Sequence, residues 1–114
     1  MSIKKYDLEN REEFQIILNC ADKILVRAFA DWCDPCKQIE DLFEEESNKL
    51  ASDGVYIVNI NVDSGNNLAS YLKIKSVPQF RYYKDGELLE ISTSGDKLKF
   101  LKFIEKIKKL WYII

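Results

Sequence analysis

Apolar residues in this chain occur both in short continuous runs and in helically spaced sets. The runs at residues 24–30 and 55–62 have the length of strands and are mostly apolar, which is typical of central strands covered on both faces. The turn sequence Lys84-Asp85-Gly86-Glu87 lies between two further runs and predicts a β-hairpin. The predicted strands are residues 3–7, 24–30, 55–62, 79–83 and 88–92.

The helically spaced apolar residues predict four helices. Asn10 stands three residues before Glu13, a capping pattern that predicts a helix of roughly ten residues. A second helix begins near Pro35, because proline is tolerated in a first turn, and a short third helix covers residues 68–72. The element order is therefore β-α-β-α-β-α-β-β-α, an α/β fold that closes on an antiparallel hairpin and a helix. The last helix begins near Gly95 and carries its apolar side on Leu98, Leu101, Ile104, Ile107 and Leu110.

The size and composition predict one domain and exclude several kinds of site. A chain of 114 residues can form a hydrophobic core without disulfide crosslinks, so we expect one domain over residues 1–114. The net charge of −2 gives no reason to expect a nucleic acid or a membrane as partner. Three cysteines and no histidine rule out Ser-His and Cys-His nucleophiles and argue against zinc, which needs about four such ligands. We therefore expect no metal, and chemistry that depends on thiols and carboxylates.

Two of the cysteines lie in the sequence Trp32-Cys33-Asp34-Pro35-Cys36-Lys37, where a predicted strand gives way to a helix. Unpaired N–H groups and the helix dipole at a helix N-terminus favour a thiolate. The spacing places Cys36 one turn inside the helix, where its sulfur can bond that of Cys33, and leaves Cys33 as the more exposed thiol. We predict that Cys33 attacks a substrate disulfide and that Cys36 then resolves the mixed disulfide.

Trp32 and the third cysteine, Cys20, are expected to have non-catalytic roles. Trp32 follows the strand directly, so we expect an exposed ring that contacts the substrate. Cys20 ends the first predicted helix beside apolar residues, and we expect a buried thiol with a structural role.

With Val77-Pro78 placed before a later strand, the cysteine motif makes the chain resemble the thioredoxin family. The likeness extends over essentially the whole chain and includes residues 29–32 and Asn61-Val62-Asp63. It implies the thioredoxin fold, a central mixed five-stranded sheet flanked by four helices. It also implies a cis bond before Pro78, with Ser76, Val77 and Pro78 facing the cysteines and binding an extended substrate. The redox-active disulfide of Cys33 and Cys36 would serve without a separate cofactor.

The chain departs from the family in a buried pair next to the motif. Arg27 stands where family members usually carry an aspartate that helps to move the proton of the resolving cysteine, and Asn59 stands where a lysine commonly accompanies it. Arg27 either extends to the surface or supports the Cys36 thiolate. In the second case Glu40, one turn beyond Cys36, is the expected partner and proton acceptor.

A further departure is Asp34, which replaces the glycine between the family's cysteines. Its negative charge disfavours the thiolate of Cys33 and should make the pair more reducing, whereas Arg27 acts in the opposite direction. We therefore interpret Asp34, Pro35, Arg27 and Glu40 as residues that tune the cysteine pair.

The resemblance implies a protein-disulfide reductase that receives electrons from a thioredoxin-reductase-type donor. Two alternatives are an oxidase- or isomerase-like domain and a thioredoxin-fold binding module with little turnover. Residues 1–7 resemble neither a signal peptide nor an Arg-rich transit peptide, and the chain does not end in an ER-retention sequence. We therefore expect a cytoplasmic monomer that takes part in electron transport and cell redox homeostasis.

Overall fold

The computed structural model describes residues 3–112, and the first two and last two residues of the predicted domain lie outside this range. The predicted order of strands and helices is confirmed, with boundaries that differ by a few residues. The strands are β1 (Lys5–Asp7), β2 (Lys23–Phe29), β3 (Tyr56–Asn61), β4 (Gln79–Lys84) and β5 (Glu87–Ser92). The α-helices of the described range are α1 (Arg11–Cys20), α2 (Asp34–Ser52), α3 (Asn66–Tyr71) and α4 (Lys97–Lys109).

The five strands form one mixed sheet in the order β1-β3-β2-β4-β5. Strands β1 and β2 both pair with β3 in parallel, whereas β4 runs antiparallel to β2 and to β5. The β2–β3 register places Arg27 opposite Asn59. Because β2 is central and parallel to β3, its carboxyl end meets that of β3 at one edge of the sheet, where α2 also begins.

Two hydrophobic layers cover the sheet, since successive side chains of a strand point to opposite faces. Helices α2 and α4 cover one face, where the rings of Phe43, Phe80 and Phe100 lie with centroids 4.8–6.0 Å apart. Helices α1 and α3 cover the other face and contribute Phe14, Ile17 and Leu68 to its core. Arg27 stands two residues after the buried Leu25 on β2, so both side chains point to the face of the sheet that α2 covers.

Short-range sequence signals were accurate. Asn10 caps α1, because its Oδ1 accepts a hydrogen bond of 2.9 Å from the backbone N–H of Glu13. Asp85 and Gly86 form the hairpin turn with positive φ angles of 52° and 81°.

The prediction for the buried side of α4 was partly wrong. Leu98 and Leu101 are 61% and 40% exposed, while Phe100 and Phe103 take the buried positions with Ile104 and Ile107. Both sets have helical spacing, and the aromatic set buries more apolar area against Phe43 and Phe80. Among residues 3–112, no helix is both long enough and apolar enough to cross a bilayer.

Candidate active site

Cys33 and Cys36 lie at the junction of β2 and α2 and form a disulfide, with their Cα atoms 5.3 Å apart. Cys33 is the N-cap of α2, and Pro35 lies in the first turn. The backbone N–H of Cys36 donates a hydrogen bond of 3.2 Å to the Sγ of Cys33. The same donor and the positive end of the helix dipole would stabilise a thiolate on Cys33 after reduction.

The expected difference in exposure between the two cysteines is absent in the disulfide state. Cys33 is 3% exposed and Cys36 is 5% exposed. Both pack with Ala30 in an apolar cluster that Val62 and Val77 help to cover. The assignment of Cys33 as the attacking thiol therefore depends on its N-cap position and not on its exposure.

A groove of about 130 Å³ beside the cysteines brings together three of the four residues predicted to bind substrate. Trp32, Ser76 and Val77 line it, and Trp32 is 67% exposed. Pro78 is buried, and the Val77–Pro78 peptide bond is cis. The exposed Ser76 leaves the groove open to solvent on the side of the segment that precedes Pro78.

Two residues at the site were missed in the sequence analysis. Asp63 Oδ2 accepts a hydrogen bond of 2.9 Å from Trp32 Nε1 and orients the indole. The sequence contained a signal for this contact, because Asp63 follows β3 and the carboxyl ends of adjacent parallel strands meet at one edge of the sheet.

Gly95 is the second residue that was missed, since a Cβ there would lie 2.8 Å from Pro35 Cβ and 2.9 Å from the Pro35 carbonyl oxygen. Glycine therefore allows the segment before α4 to pack directly on the cysteine turn.

Arg27 lies between the sheet and α2 and is held by several contacts. Its Nε donates a hydrogen bond of 3.0 Å to Asn59 Oδ1, and its Nη1 lies 3.8 Å from Glu40 Oε1. Its guanidinium also lies over the rings of Phe29 and Phe43, at 4.3 and 4.9 Å from their centroids. The Arg27 side chain is 11% exposed, so it does not extend freely into solvent.

The environment of Arg27 also affects its protonation. Burial lowers the pKa of the Arg27 guanidinium, and the negative charges of Glu40, Glu44 and Asp7 oppose this shift in that order of size. Arginine retains its charge at neutral pH in such a setting. Arg27 is thus a fixed cation close to the cysteine pair.

The remaining residues considered from the sequence lie at the surface. Asp34 is exposed in the first turn of α2. Cys20 is also exposed, which contradicts the prediction of a buried thiol. The buried positions of this segment belong to Phe14, Ile17 and Ala21, and their helical spacing leaves Cys20 outside.

Comparison with known proteins identifies the family. The thioredoxin family model matches residues 5–109. A thioredoxin of Coprinus comatus is 30% identical over 83 residues, covering 73% of this chain and 78% of the relative. A thioredoxin of Ictalurus punctatus is 34% identical over 85 residues, covering 73% of this chain and 79% of the relative.

Solved structures agree with the sequence relatives. The thioredoxin of Plasmodium falciparum superposes with a TM-score of 0.80 at 27% identity, covering 89% of this chain and 97% of that chain. The mixed five-stranded sheet of this chain, with its flanking helices, is therefore the thioredoxin fold. The disulfide pair at the start of α2 agrees with the activity of such proteins, thiol–disulfide exchange that reduces protein disulfides. The chain belongs to the thioredoxin family.

Proposed function

We propose that this protein-disulfide reductase uses its Cys-Asp-Pro-Cys sequence in two steps, with Cys33 as nucleophile and Cys36 as resolving thiol. In the first step the Cys33 thiolate attacks a substrate disulfide, and one substrate sulfur leaves as a thiolate. In the second step the Cys36 thiolate attacks Cys33 Sγ, which forms the internal disulfide and releases the second substrate thiolate. Two electrons pass from the cysteine pair to the substrate. The observation that carries this assignment is the hydrogen bond from the Cys36 N–H to Cys33 Sγ at the helix N-terminus.

The substrate would lie along the groove lined by Trp32, Ser76 and Val77. An extended segment can pair with the backbone before Pro78 and bring its disulfide to Cys33. Trp32 adds a large exposed apolar surface in an orientation fixed by Asp63.

The cycle is completed by an electron donor, and we place a thioredoxin-reductase-type protein in this role. The family model spans residues 5–109, which supports the proposal that residues 1–114 act as one domain. We further propose that the protein is a monomer in the cytoplasm, a compartment in which thiols are kept reduced. There it would take part in electron transport to protein disulfides.

The reduction potential of the Cys33–Cys36 couple tests the proposed direction of electron flow. We expect about −270 mV or lower, which suits a reductase. Equilibration with dithiothreitol, followed by alkylation of the free thiols, gives the value. A potential above about −180 mV, as in isomerases and oxidases, would contradict the proposal.

Removing the Asp34 charge should make the protein less reducing. The Asp34→Asn variant removes a carboxylate next to the Cys33 thiolate, and Asp34→Gly removes it together with the side chain. We expect the midpoint of the thiolate titration, followed by ultraviolet absorbance, to fall in both variants, because a negative charge next to the Cys33 thiolate has been removed. A midpoint that does not move would show that solvent fully screens Asp34. A fall in Asp34→Gly alone would assign the effect to backbone freedom instead.

A further inference from the structure

A small cavity next to Cys36 is lined by charged side chains, whereas the rest of the cysteine environment is apolar. The disulfide otherwise packs in an apolar cluster with Ala30 and Val77. The cavity has a volume of about 210 Å³, enough for several water molecules, each of which occupies roughly 30 Å³ in the liquid. Four charged side chains line it together with Cys36, namely Arg27, Asp31, Lys37 and Glu40.

The resolving step places a chemical demand on this region. Cys36 must lose its thiol proton before its sulfur can attack Cys33, because the thiolate is the nucleophile. Cys36 is only 5% exposed in the disulfide state, and burial in apolar surroundings disfavours a thiolate. A route for the proton and a compensating positive charge would both accelerate the step.

We propose that the Cys36 proton leaves through this cavity to Glu40, and that Arg27 remains throughout as the counter-charge. Before transfer Arg27 faces the Glu40 carboxylate, and after transfer it faces the Cys36 thiolate, so the charge in the cavity is unchanged. The Cys36 thiolate then forms the bond to Cys33 Sγ, and the substrate thiolate leaves. The Glu40 side chain is 60% exposed and returns its proton to solvent.

The contacts around Arg27 fit this role. Asn59 and the rings of Phe29 and Phe43 hold the guanidinium in the cavity wall independently of Glu40. Arg27 therefore need not move when the negative charge shifts from Glu40 to Cys36. Glu40 lies one turn after Cys36 on α2, so both side chains project from a similar side of the helix.

Among the charged groups near the cavity, Glu40 is the carboxylate that lies beside Arg27 and also one turn after Cys36 on α2. Asp31 and Lys37 are exposed at its rim. Glu44 and Asp7 influence the Arg27 guanidinium only through their charge. Glu44 pairs with Lys5 at 3.1 Å and, within residues 3–112, is not part of the cavity wall.

This proposal rests on the two-step cycle. One kinetic experiment distinguishes a failure of the Glu40 role from a failure of the cycle itself. Reduced protein carrying Cys20→Ser, which removes the exposed third thiol, is mixed with an equal amount of dithiobis(nitrobenzoate). The first release of thionitrobenzoate reports the attack by Cys33, and the second release reports resolution by Cys36. The variants are Glu40→Gln and its matched control Glu44→Gln, which lie one turn apart on α2 with exposures of 60% and 59%.

We expect Glu40→Gln to slow the second release by about tenfold or more near neutral pH and to leave the first within about twofold. Its second release should also depend more steeply on pH, because hydroxide must then remove the proton. Glu44→Gln should change neither rate, and Arg27→Met should slow the second release alone. Equal second rates in the two glutamate variants, or a faster one in Glu40→Gln, would overturn the role of Glu40. A parent protein that shows no second release would instead overturn the two-step cycle.

Discussion

Replacing Cys33 with serine is expected to abolish disulfide reduction, by more than about a hundredfold in the dithiothreitol-driven reduction of insulin. The hydroxyl of serine is a poor nucleophile here, because the chain has no histidine to activate it. Serine is also a good N-cap, so it can accept the N–H of Cys36 as the Cys33 sulfur does. The loss should therefore reflect chemistry and not unfolding.

Cys20→Ser is the matched control for this variant, because it also exchanges one sulfur for oxygen. Cys20 is exposed at the end of α1, away from the junction of β2 and α2. Its turnover should stay within about tenfold of the parent, which corresponds to roughly 1.4 kcal/mol in the barrier. Comparable losses in both variants would remove Cys33 from its catalytic role. Little loss in Cys33→Ser would favour a binding module whose cysteines do not turn over.

Local sequence chemistry accounts for the features that were predicted well. The capping residue Asn10 and the turn at Asp85 and Gly86 depend on a few adjacent residues, and these fix their own hydrogen bonds or φ angles. The placement of Cys33 at the start of α2 was also predictable from adjacent residues. Proline is favoured in the first turn of a helix, so Pro35 indicates that the helix begins directly after Cys33.

Features that depend on packing between distant segments were less predictable. The buried face of α4 is set by Phe100 and Phe103, which find aromatic partners on β4 and α2, and spacing alone did not distinguish them from Leu98 and Leu101. Cys33 is buried because Val62 and Val77 come from two other parts of the chain. The contact between Arg27 and Asn59 requires the register of β2 against β3. None of these follows from a local pattern.

Replacing Cys36 with serine has the second large expected effect, the conversion of a transient mixed disulfide into a stable one. Cys33 keeps its position at the N-terminus of α2 and should still attack a substrate disulfide. The serine hydroxyl at position 36 cannot attack Cys33 Sγ to form a disulfide, so the second step stops. Turnover should be lost while a covalent adduct accumulates.

The assignment of Cys33 as attacking thiol and Cys36 as resolving thiol is tested most directly by the adducts that the Cys36→Ser and Cys33→Ser proteins form with native, disulfide-bonded insulin. Mass spectrometry of the separated species, before and after dithiothreitol, locates the bond. The two-step cycle predicts an insulin chain linked to Cys33 in the Cys36→Ser protein, released by dithiothreitol, and little adduct in the Cys33→Ser protein. Equal trapping through Cys36 in the Cys33→Ser protein would contradict the assignment of Cys33 as the attacking thiol.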